Sequence, residues 1–382
     1  MQGSISIFVC TLVLTFSFSV FADTENSSGL RVDRTEVASG IYLPWALEFL
    51  SADELLISQR TGRLVLLNIK TKDKTLLKGL PEVTVRGQGG LLDLEKHPDY
   101  KNNGWIYVSY STGKSRAFTT EIARFKINKD QITDWQTLFT AQPSYPTSHH
   151  FGSRIAFDDQ GYLFFSVGDR GRENDAQDVT KDNGKIHRLL DNGKAPKDNP
   201  FYDQKKSSKS IWSIGHRNPQ GLFFDKATKT LWAHEHGPQG GDEINPISKG
   251  KNYGWPVISY GDPYGSTPSA HDSGTFGEAT AKKGMEQPYY YYKPSIAPSD
   301  FVIYNHPSIP EWANSFFLGS LVQVHLNRTF KAADGSIKEE RLLEDFSQRV
   351  RSLAVGPEGG LYVGVDGGKI IRLTKASPLK PQ

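Results

Sequence analysis

A strand–turn–strand unit recurs six times along this chain of 382 residues. Each copy has an apolar strand, a polar turn containing Asp, Gly or Asn, and a second strand rich in Tyr, Trp, Phe and Val. The period-two alternation in these segments is typical of hairpin strands. Such a unit buries its faces only against neighbouring units, so the repeat constrains the fold strongly. The copies begin at Trp45, Gly90, Arg154, Gly221, Phe301 and Ser352.

The number and spacing of the units predict an all-β fold. Successive copies are about 45 to 80 residues apart, which leaves room for two further strands in each. Six four-stranded antiparallel blades closed into a ring form a six-bladed β-propeller, which leaves only short, protected sheet edges. Two stacked β-sandwiches are the alternative, but they would show no sixfold recurrence. The 36 glycines and 21 prolines agree with short strands joined by many turns.

The first 22 residues have the composition of a secretory signal peptide. They carry no charged side chain, and small residues at Val20 and Ala22 suit cleavage before Asp23. An uncleaved anchor is the alternative, because no Lys or Arg precedes the apolar segment. Cleavage would leave residues 23–382 as a single propeller domain, periplasmic or secreted, that does not span the membrane. Since Cys10 is the only cysteine, that domain would have neither disulfides nor thiolate chemistry.

Net charge narrows the class of partner. The formal charge is +3, and no run of five or more like charges occurs. This pattern does not indicate a nucleic-acid partner. We expect a monomer or a homodimer.

Two adjacent histidines, His149 and His150, stand before the third unit. They could be metal ligands, hydrogen-bonded structural residues, or a catalytic base. No helical zinc motif surrounds them, and adjacent residues in an extended segment face opposite sides. Asp169 ends the second strand of this unit, so the hairpin could return its carboxylate toward His150. A carboxylate on one ring nitrogen leaves the other basic and oriented, which is the arrangement of a general base.

Three arginines and one asparagine also stand outside the repeat. Arg217 and Asn218 precede a proline, which restricts the backbone and could aim both side chains. An ion pair between blades is the alternative role for Arg217. Arg349 and Arg351 alternate on a predicted strand and therefore share a face. Two guanidinium groups on one face are costly unless an anion lies between them.

Several motifs resemble the soluble aldose sugar dehydrogenases that use pyrroloquinoline quinone (PQQ), within the glucose/sorbosone dehydrogenase family. The motifs are "GQGGLLD", "GDRG", "IGHRNPQGL", "HEHGPQGGDEIN" and "KNYGWP". The resemblance runs from about Trp45 to Leu373, and the last three motifs in this order are its specific part. It implies a six-bladed propeller that needs PQQ and Ca²⁺. The implied reaction oxidises an aldose at C1 to the lactone and passes the electrons to an acceptor other than oxygen.

The resemblance also implies roles for individual residues. His150 would be the base that takes the proton from the C1 hydroxyl, and Asp169 would orient it while a hydride passes to PQQ. Because adjacent residues in an extended segment face opposite sides, we expect His149 to face away from the channel. Arg217 would stabilise the charge that develops on the quinone. The implied PQQ contacts are Gln88, Arg217, Asn218, Tyr264, Ser295, Arg349 and Arg351.

Two calcium positions are implied in the same way. One would use the main-chain oxygens of Gly237 and Pro238, and the other Glu243 with the carbonyl of Tyr253. Ligation by oxygen alone suits Ca²⁺.

This chain departs from the family at two positions, and two other functions remain as alternatives. "GSLVQVH" has Val322 where relatives place a lysine against PQQ, and Lys293 stands where glucose dehydrogenases place a tryptophan. Either Lys293 supplies the missing positive charge or PQQ binds more weakly. A calcium-dependent propeller lactonase or esterase would cluster carboxylate and amide ligands, whereas these motifs are rich in Arg and His. A binding propeller without activity is the third reading.

Overall fold

The computed structural model describes residues 21–25, 30–265 and 279–376. Within these residues the chain forms six antiparallel sheets arranged as the blades of a ring, which confirms the predicted six-bladed β-propeller. The predicted signal segment up to residue 20 lies outside the described residues. No helix in the described part of the chain is long and apolar enough to cross a membrane.

Five blades are formed by four strands that follow one another in the chain. Blade 1 contains β3 (Pro44–Phe49), β4 (Glu54–Gln59), β5 (Arg63–Asn68) and β6 (Lys74–Leu76). Blade 2 contains β7 (Leu91–Lys96), β8 (Ile106–Lys114), β9 (Ala117–Asn128) and β10 (Gln131–Thr140). Blade 3 contains β11 (Ile155–Phe157), β12 (Leu163–Val167), β13 (Lys185–Leu189) and β14 (Ile211–Ile214). Blade 4 contains β15 (Pro219–Asp225), β16 (Thr230–Glu235), β17 (Asp242–Ile247) and β18 (Tyr290–Tyr292). Blade 5 contains β19 (Pro298–Tyr304), β20 (Ser315–Ser320), β21 (Leu326–Lys331) and β22 (Ile337–Leu342).

Blade 6 joins the two ends of the chain. Its inner strands are β23 (Val350–Val355), β24 (Leu361–Val365) and β25 (Ile370–Lys375), and the next strand outward is β2 (Arg31–Ala38). In this register Val32 pairs with Lys375 and Glu36 pairs with Ile371. Strand β1 (Phe21–Glu25) adds to the outer side of β2.

Short helices occur only in connections. The helix α1 (Tyr100–Asn103) joins β7 to β8, and 3₁₀ turns cover Glu173–Gln177, Pro310–Trp312 and Glu344–Phe346.

The six hairpins predicted from the sequence are the first two strands of the six blades. The first strands β3, β7, β11, β15, β19 and β23 lie next to one another around the centre of the ring. Apolar side chains from adjacent blades form common cores, as where Tyr304 and Phe317 of blade 5 pack with Leu353 and Val363 of blade 6. This burial between blades is the main favourable contribution to folding.

An ion-pair cluster crosses the channel between the inner strands. Arg154, just before β11, lies 2.7 Å from Asp93 of β7 and 3.3 Å from Asp300 of β19. Burial raises the pKa of Asp300 to about 7, although the charge of Arg154 opposes the shift. Because each charge has a partner, the cluster ties three blades together without an isolated buried ion.

One end of the ring collects the connections that matter for function. Since the strands of a blade alternate in direction, the segment before the first strand opens at the same end as the connection from the second strand to the third. The motifs quoted above lie in these two kinds of connection, apart from "KNYGWP". That motif belongs to the long segment between β17 and β18, which folds back to the same end.

Candidate active site

His150 and Asp169 form a hydrogen-bonded pair at this end of the ring. The imidazole Nδ1 lies 2.7 Å from Asp169 Oδ1, and the carboxylate side chain is fully buried. The β11–β12 hairpin brings the two together, as predicted. His150 itself is not in an extended segment, since its φ of 56° lies in the left-handed region. That part of the prediction is wrong, although the pairing with Asp169 is as expected.

The electrostatics of the pair favour a neutral imidazole beside an ionised carboxylate. Burial lowers the pKa of His150 to about 4, although the hydrogen bond and the charge of Asp169 act in the opposite direction. Burial alone would raise the pKa of Asp169, but its bonds to His150 and to the Gly171 N–H, with the charge of Arg217, lower it overall. With Nδ1–H donating to the carboxylate, His150 Nε2 is the basic atom at neutral pH.

His149 does not face away from this pair, so that prediction is wrong. Its ring meets that of His150 edge-to-face, with the ring centroids 4.6 Å apart. It packs on Gly171, where a β-carbon would lie 2.5 Å from His149 Nε2. The hydrogen bond to the carboxylate is made by His150.

The "GQGG" loop of blade 2 holds the histidine turn in place. Gln88 Oε1 accepts a hydrogen bond from the His150 N–H at 2.8 Å, and the Gln88 N–H donates to the Ser148 carbonyl. Gly87 has a φ of 57°, and a β-carbon there would lie 2.3 Å from the Ser148 oxygen. Because the Gln88 oxygen is already used, its NH₂ group is the part of the amide left for a ligand.

Arg217 and Asn218 present buried donors to the same region. Arg217 donates from Nη1 to the His236 carbonyl at 3.3 Å and from Nη2 to the Tyr264 hydroxyl at 3.1 Å. Asn218 Oδ1 accepts from the Gly152 N–H at 3.1 Å. Within the described residues, Arg217 Nε and Asn218 Nδ2 are buried without a hydrogen-bond partner. Unsatisfied buried donors are costly, so these two fit a ligand rich in acceptors.

The described residues give no support to the alternative role for Arg217. Among the residues described, its guanidinium makes no ion pair with a carboxylate of another blade, and its contacts are a carbonyl, a hydroxyl and aromatic rings.

The segment 236–241 fits a cation position. Asp242 is fully buried and accepts hydrogen bonds from the Gly237 N–H at 3.0 Å and from the Ser295 hydroxyl at 2.6 Å. Asp242 therefore fixes the loop that contains Gly237 and the loop that contains Ser295. The Ser295 hydroxyl donates its proton to Asp242, so it has no proton left to donate to a ligand. In the described structure no hydrogen bond is directed at the carbonyl oxygens of Gly237 or Pro238. Two such oxygens are suitable ligands for a hard cation.

Glu243 lies where a second cation would relieve charge repulsion. It is the register partner of Glu235 on β16, and Asn245 donates to its carboxylate at 3.0 Å. Burial and the charge of Glu235 raise the pKa of Glu243 to about 8. Tyr253 stacks on His216, whose Nδ1 lies 2.9 Å from Glu235. No group of three or more His, Cys, Asp or Glu side chains that could hold a metal occurs in the described part of the chain.

The remaining predicted residues lie at the same end but differ in their surroundings. Arg351 forms a bidentate pair with Asp366, with both N–O distances 2.8 Å, so its charge has a protein partner. Arg349 is exposed and stands one residue before β23, not within it. Lys293 lies 3.1 Å from Asp262, which neutralises it, and Val322 is exposed. Lys293 is therefore not a free substitute for the absent lysine.

Comparison with known proteins identifies the family. A sequence profile described as Glucose / Sorbosone dehydrogenase matches residues 41–372. The chain belongs to this family. It is 38% identical over 339 residues to the aldose sugar dehydrogenase YliI of Escherichia coli (strain K12), covering 87% of this chain and 90% of that protein. The resemblance read from the sequence motifs is thereby confirmed.

Solved structures with the same architecture include family members. The apo-form of the soluble aldose sugar dehydrogenase from Escherichia coli superimposes with a TM-score of 0.84 at 35% identity, covering 90% of this chain and 100% of that one. The PQQ-bound aldose sugar dehydrogenase from Streptomyces coelicolor gives 0.73 at 26% identity, covering 90% and 98%.

Two residues of this glucose/sorbosone dehydrogenase site were not predicted from the sequence. Glu235 accepts hydrogen bonds from His216 and from the Arg217 N–H, and Trp255 donates to Asp169. Both lie in motifs that identified the family, "HEHGPQGGDEIN" and "KNYGWP". Their position in these motifs was a sequence signal that the two residues have a function. The residues that they contact are distant in the sequence, so the contacts themselves were not predictable.

Proposed function

We propose that this protein is a PQQ- and calcium-dependent aldose sugar dehydrogenase that oxidises the C1 hydroxyl to the lactone. The observation that carries the proposal is the His150–Asp169 pair, with its basic Nε2, beside the buried unpartnered donors of Arg217 and Asn218. A base next to acceptor-seeking donors fits removal of a proton from a substrate bound against an anionic cofactor. The relatives named as aldose sugar dehydrogenases support this assignment.

The residues present fit both implied groups. PQQ has carboxylates and quinone oxygens, which match Arg217 Nε, Asn218 Nδ2, the Gln88 amide and the exposed Arg349. Gly237 and Pro238 would hold Ca²⁺ by their carbonyls, and Glu243 with Tyr253 would hold another. When bound, PQQ supplies a two-electron acceptor that Ca²⁺ polarises.

Three side chains of this protein have separate roles in the proposed reaction. His150 Nε2 takes the proton from the sugar hydroxyl, and the Asp169 carboxylate stabilises the imidazolium that results. Arg217 supplies positive charge, held in place by the His236 carbonyl and the Tyr264 hydroxyl. The burial of Asp169 and the left-handed turn at His150 keep the base in one orientation.

Reconstitution tests this function directly. The purified protein is stripped of metal and cofactor and then given PQQ, Ca²⁺, both, or neither, with dye reduction measured across a panel of aldoses. We expect activity only with both. Lactone hydrolysis under Ca²⁺ alone would support the hydrolase alternative, and PQQ binding without sugar oxidation would support the non-catalytic one.

The exposed Arg349 offers a test of cofactor binding that leaves the fold intact. Arg349→Ala should weaken PQQ affinity by about 1.5–3 kcal/mol, the range for a hydrogen bond to a charged group. The measurement is PQQ titration at fixed Ca²⁺, and saturating PQQ should restore most of the turnover. Arg351→Ala is less informative, because it also leaves Asp366 unpaired. Lys197→Ala, in the exposed β13–β14 connection, removes the same charge and should leave the affinity unchanged.

We also propose that the protein is exported and cleaved after Ala22. Thr24 and Glu25, which pair with Val32 and Arg31, would remain on the mature chain. N-terminal sequencing of exported protein tests this, and a start at residues other than Asp23 would contradict it.

A further inference from the structure

Trp255 touches both charged parts of the proposed catalytic site. Its indole Nε1 donates a hydrogen bond to Asp169 Oδ2 at 2.8 Å. The ring centroid lies 5.3 Å from the guanidinium carbon of Arg217. Trp255 is 5% exposed and comes from blade 4, whereas Asp169 belongs to blade 3. A single side chain thus contacts the partner of the base and the cation beside it.

We propose that Trp255 is a positioning residue for proton transfer, acting on His150 through Asp169. This inference rests on the proposed function. The carboxylate has two oxygens and a rotatable bond, and Oδ1 is shared by His150 Nδ1 and the Gly171 N–H. The Trp255 bond on Oδ2 fixes that rotation, so the oxygen that faces the imidazole is always the same one. A fixed partner keeps the imidazole in one tautomer and one direction.

The protein fixes the indole through its backbone. The Trp255 N–H donates to the Gly215 carbonyl at 3.0 Å, and its carbonyl accepts from Gln177 Nε2 at 2.7 Å. Gln177 and Asn252 also exchange two amide hydrogen bonds, at 2.7 and 3.0 Å. These bonds attach the "KNYGWP" segment of blade 4 to the 3₁₀ turn of blade 3. The backbone from which the indole extends is therefore held by bonds within the protein.

The hydrogen bond has a defined electrostatic consequence. A donor to an ionised carboxylate stabilises the charged form and makes the carboxylate less basic. Removing the donor makes Asp169 a stronger partner for the imidazolium, so it raises the pKa of His150. The other titratable or charged groups facing this pair are Arg217, Arg170, Glu173 and His149. None of these is changed by a substitution that removes only the indole N–H.

Trp255→Phe is the test, because it keeps an aromatic ring against Arg217 and removes the N–H. In the holoenzyme we expect kcat to fall about tenfold, at the lower end for loss of an outer partner, with KM and PQQ affinity near those of the parent. The acid limb of the kcat profile should move to higher pH. In an Asp169→Asn background the same change should alter kcat by less than about twofold, because the partner of the indole is already altered.

Trp212→Phe is the matched control. Trp212 lies in β14 of blade 3, and its buried Nε1 has no hydrogen-bond partner in the described structure. This variant loses an indole N–H without affecting Asp169 and should keep the parent kcat. A Trp255→Phe holoenzyme with the parent kcat and pH profile would overturn the proposal. So would an equal further loss in the Asp169→Asn background.

A second measurement separates this proposal from the proposed function. The titration of His150 is followed by NMR in the protein without cofactor, with its signal assigned by comparison with His150→Ala. We expect Trp255→Phe to raise the pKa of His150, and Trp212→Phe to leave it unchanged. An unchanged value in Trp255→Phe overturns the positioning role even if no aldose is oxidised. A raised value in a protein that does not oxidise aldoses refutes only the proposed reaction.

Discussion

His150→Ala is expected to lower kcat by at least about 10²-fold, the low end for loss of a general base. The reason is that His150 Nε2 is the basic atom of the pair with Asp169, while Nδ1 is held at 2.7 Å by the carboxylate. PQQ and Ca²⁺ should still bind, because the groups proposed to hold them do not include the imidazole of His150. Single-turnover reduction of the bound cofactor by an aldose measures the step directly.

The neighbouring histidine provides the control. His149→Ala should leave kcat within several-fold of the parent, since the hydrogen bond to Asp169 is made by the adjacent ring. Asp169→Asn should fall between the two, because the imidazole loses its charged partner and its preferred tautomer. If His149→Ala is inactive and His150→Ala is active, then His149 is the base and the assignment to His150 is wrong.

Arg217→Met should lower kcat by about 10²–10³-fold, the range for loss of one group that stabilises developing charge in a buried site. Arg217 is buried, and its Nε has no partner among the described residues. The Nε–H is therefore available to donate a hydrogen bond to a negatively charged ligand atom. Methionine keeps much of the side-chain volume and removes the charge. Turnover is measured at saturating PQQ, so that weaker cofactor binding does not enter the result.

Arg217→Lys separates charge from geometry. Lysine retains the positive charge but cannot bond the His236 carbonyl and the Tyr264 hydroxyl at once from a planar group. We expect an activity between those of the parent and Arg217→Met. If Arg217→Met turns over within about fivefold of the parent at saturating PQQ, Arg217 has a binding role only.

The fold was predictable because the repeat is local in sequence. Each predicted hairpin needs only alternation and a turn, and six of them leave few architectures. The pairing of His150 with Asp169 was predictable for the same reason, since the β11–β12 hairpin joins them. The conformation of His150 was not predictable. The left-handed turn depends on Gln88 and Gly87, which arrive from blade 2.

The missed parts of the site are pairings between distant segments. Asp262 neutralises Lys293, and Trp255 reaches Asp169 from 86 positions away. Alternation patterns describe which face of a strand a residue occupies, but they do not say which loop of another blade meets it. For that reason the two arginines near β23 were expected to need an outside anion, whereas Asp366 already serves Arg351.

The pairing of β2 with β25 sets the order in which the molecule can be completed. Blade 6 takes three strands, β23 to β25, from the end of the chain and two, β1 and β2, from its beginning. Blades 1 to 5 can form their hairpins as they emerge, but the ring stays open until Lys375 reaches Val32. A chain crossing a membrane from its N-terminus would therefore carry an unpaired β2 edge through most of its transit, and such an edge can pair with other chains.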